Sequence, residues 1–144
     1  RQRQMCIRDR YRTEIINTDG ADGWSRVVGG VDVPVASPLS ADLDPAASNP
    51  EQLLALAWAT CLNATAHAIN GGAARTAVRV DVALMDAEPG PGFEFHLDAY
   101  LSLEGGSMAE TEELLAAAEA RCPVSKLLRE ATTVRAHAEP YSAP

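Results

Sequence analysis

Between Ser48 and Gly72 runs a segment with almost no polar face. Ser48 with Glu51, and Asn49 with Gln52, have capping-box spacing, and Pro50 suits a first helical turn, so a helix starts there. From Leu53 onward the segment is apolar on nearly every side, with Ala at 55, 57, 59, 64, 66 and 68, until Gly71-Gly72 ends it. A helix that is hydrophobic all round is expected to be buried all round. So much alanine means that neighbours approach closely, and one candidate neighbour is a second copy of the same helix.

The remaining segments supply strands and a second helical region. Tyr11–Asn17 alternates weakly and ends in the turn signal Asn17-Thr18-Asp19-Gly20. Arg26–Val35 reads as a hairpin arm turning at Gly29-Gly30, and Ala36–Ser48, rich in Pro, Ser, Ala and Asp, reads as a loop. Thr76–Leu84 sets Val78, Val80, Val82 and Leu84 against Arg79 and Asp81, the pattern of a half-buried strand. Phe93–Leu103 alternates in the same way beyond a Pro/Gly turn, so the two predict a long antiparallel hairpin. Ser107 and Glu110 cap a helix over Ala109–Ala120, Pro123–Glu130 is a second helical stretch, and Ala131–Glu139 closes as a strand. The order predicts an α+β fold.

At 144 residues and 47% hydrophobic, the chain is expected to form one domain over residues 11–144, with a core built from Ala, Val and Leu because aromatics supply only 5%. A net charge of −8 argues against nucleic acid as the partner. No apolar run reaches the roughly 18 residues of a membrane span, so no membrane partner is expected. Arg1–Arg10 differs, holding four of the twelve basic residues and Cys6, and is expected to be a disordered or non-native arm. The opening residues carry no secretory pattern. Three irregularly spaced cysteines do not form a disulfide framework, so reduced thiols in a cytoplasm are expected.

Two of those cysteines sit in informative settings. Cys61 lies within the apolar helix, and Cys122 precedes Pro123 at a helix start. Proline suits that first turn, so Cys122 falls at or near the N-cap, where free amides and the helix dipole favour a thiolate. Taken singly, either cysteine also fits the common role of an inert buried residue. His67, His96 and His137 are scattered without ligand spacing, so no metal is expected. No oxyanion-hole motif accompanies a Cys–His pair, which leaves nucleophilic hydrolysis unsupported.

Asn49-Pro50-Glu51-Gln52-Leu53-Leu54 followed by Cys61, and Cys122-Pro123-Val124-Ser125-Lys126-Leu127-Leu128, together resemble the family of osmotically inducible protein C and organic hydroperoxide resistance proteins (OsmC/Ohr). The resemblance spans roughly residues 11–141. It implies antiparallel sheets wrapped around two central helices in an intertwined homodimer. It also implies a thiol peroxidase acting on organic hydroperoxides, with Cys61 peroxidatic and Cys122 resolving. The implied cycle runs through a Cys61 sulfenic acid and a Cys61–Cys122 disulfide, with no bound cofactor and with an external dithiol, typically a lipoyl group on a protein, as reductant. The family's activating arginine, held by the Glu of Asn-Pro-Glu, has its counterpart position at Ala21. Arg26 is the candidate replacement, with Glu51 as its partner. Leu54, Trp58 and Thr65 share a helical face with Cys61 and are the expected substrate-binding residues, although that face also suits plain core. Two alternatives stay open: a small-ligand or lipid-binding homologue with a vestigial dithiol, and a disulfide-based redox sensor.

Overall fold

The computed structural model describes residues 9–142; the arm at residues 1–8, with Cys6, lies outside the described residues. In chain order the elements are β1 (Ile15–Asn17), β2 (Gly23–Val27), β3 (Asp32–Val35), α1 (Pro50–Asn70), β4 (Thr76–Asp86), β5 (Phe93–Leu103), α2 (Met108–Arg121), α3 (Pro123–Leu128) and β6 (Val134–Ala138). The chain divides between Asn49 and Pro50 into two compact units.

The first unit is a three-stranded antiparallel sheet, β1-β2-β3. Its turns follow from local chemistry. The Asn17 side chain accepts a bond from the Gly20 amide at 2.7 Å, and the Asp19 carboxylate accepts from the Trp24 amide. Gly23 is required there, because a Cβ at that position would lie 2.4 Å from the Asp19 carboxylate. Val35 is the buried apolar residue of this sheet, whereas Ile15, Ile16, Trp24, Val28 and Val31 are exposed.

In the second unit, β4 and β5 form the expected long hairpin, in register from Thr76↔Leu103 to Asp86↔Phe93. The expectation of antiparallel pairing fails at one edge, where β6 joins β5 in parallel. The reason is the connection: α2 and α3 carry the chain back across the sheet before β6 begins, which is the crossover that parallel pairing needs. Leu97, Ala99 and Leu101 point inward and are buried under the helices. The outer face carries a row across the three strands, in which the Arg79 guanidinium lies 4.0 Å from the Tyr100 ring and Tyr100 stacks on His137.

The apolar helix is covered on one stripe rather than on every side. Trp58, Leu62 and Ala66, four residues apart, are buried against the core, while Leu56 is 60% exposed. Gly71 and Gly72, at φ 68° and 75°, end α1 in the left-handed conformation that glycine adopts without strain. No helix among the described residues is long and apolar enough to cross a membrane.

Candidate active site

Cys122 occupies the single residue between α2 and α3. Its extended backbone (φ −67°, ψ 120°) ends one helix and caps the next. Its amide donates to the Ala118 carbonyl at 2.8 Å, and its carbonyl accepts from the Lys126 amide at 2.9 Å. Pro123, at the first position of α3, has no N–H to leave unpaired. The Cys122 sulfur accepts a bond from the Ser125 amide at 3.4 Å and is itself fully buried.

Cys61 arrives from the middle of α1, half-buried, and its sulfur lies 3.3 Å from that of Cys122. Both cysteines are free thiols. A disulfide has an S–S length of about 2.05 Å, so oxidation requires a shift of only about an ångström.

The two sulfurs differ in acidity. Burial pushes the Cys61 thiol above its ordinary value; the Val124 amide opposes this, and the neighbouring Cys122 sulfur adds to the rise. At Cys122 burial also opposes ionisation, but the Ser125 hydroxyl and amide, the Cys61 thiol and the Val124 amide outweigh it, and the group falls below its ordinary value. Cys122 is therefore the more acidic of the two sulfurs. The downward direction is the one expected for a cysteine that caps α3.

A buried bond fastens the two helices beside the sulfurs. Trp58, three residues before Cys61, donates from Nε1 to Ser125 Oγ at 2.9 Å, with Trp58 1% and Ser125 7% exposed. In the sequence Ser125 stands inside the second cysteine motif with no role of its own. The available signal was its position three residues after the cap, where a capping side chain receives an amide bond.

The other candidates fall as follows. Leu54 is half-buried against the core, and the Thr65 hydroxyl donates to the Cys61 carbonyl at 2.9 Å. Glu51 stands in the first turn of α1, ten residues before Cys61 and so about 15 Å along the axis. Arg26, in the first unit, pairs with Asp32 at 2.8 Å and lies 5.6 Å from the Trp24 ring. His96 bonds to Glu94 and His137 to Asp98, and no cluster of His, Cys, Asp and Glu able to hold a metal occurs among the described residues. A cleft of about 390 Å³ is floored by Trp58 and Ser125 and edged by Glu119, Arg129 and Arg135, and neither sulfur lines it.

A buried cysteine and a half-buried one, free thiols with sulfurs 3.3 Å apart on an α+β frame, define a dithiol protein. The model of the OsmC-like protein family matches residues 43–137, and the chain belongs to that family. Among solved structures, one from Lactobacillus casei, provisionally termed a redox protein, is 32% identical, with 96% of each chain covered and a TM-score of 0.78. The organic hydroperoxide resistance protein OhrB of Bacillus subtilis is 23% identical, covering 91% of this chain and 98% of its own, with a TM-score of 0.78. An organic hydroperoxide resistance protein from Elizabethkingia anophelis, with thiocyanate bound, is 22% identical, covering 95% of this chain and 100% of its own, with a TM-score of 0.80. The last two share the fold. No curated protein matches the chain significantly.

Proposed function

We propose that the protein is a thiol peroxidase that reduces organic hydroperoxides to alcohols and is recycled by an external dithiol of the lipoyl type. The observation that carries this reading is the 3.3 Å approach of Cys61 to Cys122. Membership of the OsmC-like family and the hydroperoxide resistance proteins of the same fold support it.

Cys61 is the proposed peroxidatic residue because it is the more accessible sulfur. Its proton passes to the Cys122 thiolate beside it. The Cys61 sulfur attacks the distal peroxide oxygen, the O–O bond breaks, and the leaving alkoxide takes the proton back from Cys122 to become the alcohol. Cys61 is then a sulfenic acid. The regenerated Cys122 thiolate attacks its sulfur, hydroxide leaves, and the disulfide forms before further oxidation can occur. No metal or bound cofactor enters these steps.

Arg26, with Glu51, is the proposed activating group that lowers the Cys61 pKa in the working form. Leu54, Trp58 and Thr65 are the proposed apolar wall for the peroxide. The working form is proposed to be a homodimer in a cytoplasm. Leu56, with Ala55, Ala59 and Val80 around a groove of about 400 Å³, supplies an apolar face for a second copy.

Steady-state consumption of cumene hydroperoxide, with dihydrolipoamide compared with thioredoxin, tests this reading. Wild type should turn over, Cys61→Ser should lose turnover at least about a hundredfold, and Cys122→Ser should stall after one reduction. One oxidation per chain without turnover would indicate a redox sensor. No oxidation at all would indicate a binding protein. Either result overturns the peroxidase.

A further inference from the structure

Reduction of a Cys61–Cys122 disulfide is directional: one sulfur accepts the incoming thiol and the other leaves. We infer that Ser125, oriented by Trp58, makes Cys122 the leaving sulfur, so that an incoming dithiol attacks Cys61 and forms its mixed disulfide there. The inference rests on the dithiol cycle proposed above but concerns a step that the peroxide does not enter.

Two independent observations give the direction. The first is access. Cys122 and the Trp58–Ser125 bond beside it are buried, whereas Cys61 is half-buried, so a reductant reaches Cys61 first. The second is charge. The Ser125 amide at 3.4 Å and the Ser125 hydroxyl both address the Cys122 sulfur, which is where negative charge develops if Cys122 leaves. The thiol of lower pKa leaves faster. The Ser125 oxygen accepts the Trp58 Nε1–H at 2.9 Å, which leaves the serine proton free to point at the sulfur. Trp58 acts through Ser125 and is a positioning residue. It stands one turn before Cys61, so the helix that carries the attacked sulfur also orients the donor to the leaving one.

The electrons balance with a dithiol as the reductant. One of its thiolates attacks Cys61 Sγ, the bond between Cys61 and Cys122 breaks, and Cys122 departs as a thiolate. The second thiol of the reductant, once deprotonated, attacks its own sulfur in the mixed disulfide and releases Cys61. The reductant becomes an internal disulfide, and two electrons reach the protein.

The test forms the disulfide with diamide, so that its outcome does not depend on peroxide turnover. Oxidised wild type is treated with glutathione as a monothiol probe, quenched with N-ethylmaleimide and mapped by peptide mass. The adduct is expected on Cys61; an adduct on Cys122 overturns the inference, and this arm needs no substitution that could unfold the chain. Next, the rate of disulfide reduction by dihydrolipoic acid is compared between wild type, Ser125→Ala and Ser125→Thr, and the pH profile of Cys122 alkylation is recorded in the Cys61→Ser background with and without each change. Ser125→Ala should slow reduction roughly three- to tenfold and move the alkylation midpoint to higher pH, with Ser125→Thr restoring both. Trp58→Phe should shift both measurements in the same direction by less. Reduction that slows with no change in the alkylation profile would make Ser125 merely structural, and that also overturns the inference. Loss of peroxide turnover in wild type would count against the peroxidase alone.

Discussion

The two units of this chain meet the same physical problem with different means. The second buries a continuous cluster of Trp58, Leu62, Ala66, Leu97, Ala99, Leu101, Leu114, Leu115 and Ala118 beneath its sheet, and Cys122 belongs to that cluster. The first has three short strands with Ile15, Ile16, Trp24, Val28 and Val31 in the open. A small three-stranded sheet with no helix of its own among the described residues has little within its unit against which to bury side chains. The difference teaches that the dithiol is built on the part of the molecule with its own core, where two helices fix the sulfurs to within a fraction of their bonding distance. Exposed apolar residues in the first unit, and Leu56 on α1 in the second, are surfaces that each unit leaves uncovered by itself.

The sharpest way to break this comparison is to truncate matched residues. Leu62→Ala should cost about 2–5 kcal/mol, because Leu62 is completely buried in the packed cluster. Val31→Ala, 64% exposed, should cost less than about 0.5 kcal/mol. Equal losses in chemical denaturation would mean that the first unit is as tightly packed in solution as the second.

Next comes a change that asks whether the first unit contributes to the chemistry. Arg26→Ala should slow the reaction with peroxide about tenfold, a loss of roughly 1.4 kcal/mol of stabilisation, and should move Cys61 alkylation to higher pH. Unchanged profiles would confine the chemistry to residues 50–144. The smallest effect lies inside the second unit. Burial holds the Glu119 carboxyl above its ordinary value, against the pull of Arg129 and His137. A carboxyl raised on folding costs stability once it must ionise, so the cost is absent well below pH 4.5 and grows as pH rises through the folded value. Glu119→Gln should therefore raise the melting temperature by about 1–3 °C at pH 7, with the gain shrinking to nothing as the pH falls.

Much of the second unit was legible in its residues. The alternation of Phe93–Leu103 gave β5 at its observed bounds, and Ser107 with Glu110 gave a capping box in which both bonds form. Cys122-Pro123 marked a helix boundary because proline restricts where a helix continues. Other features rest on contacts that periodicity does not encode. The apolar circumference of α1 says that cover is wanted but not which stripe receives it within one chain, and Leu56 remained exposed. The parallel seat of β6 depends on how two helices cross the sheet. The Trp58–Ser125 bond joins residues 67 positions apart, so neither local segment announces it. The sulfur pair is a further long-range contact, reached in sequence through the two motifs rather than from either cysteine alone.

The central claim is that one chain brings Cys61 and Cys122 together as a working dithiol. Mixing the reduced protein with one equivalent of cumene hydroperoxide, quenching with N-ethylmaleimide and mapping peptides without reduction tests it most directly. The predicted result is a linked Cys61–Cys122 peptide pair in proportion to the peroxide consumed, with two hydrogens lost per chain. Consumption of peroxide with both cysteines still alkylated, or with Cys61 linked elsewhere, would contradict the account.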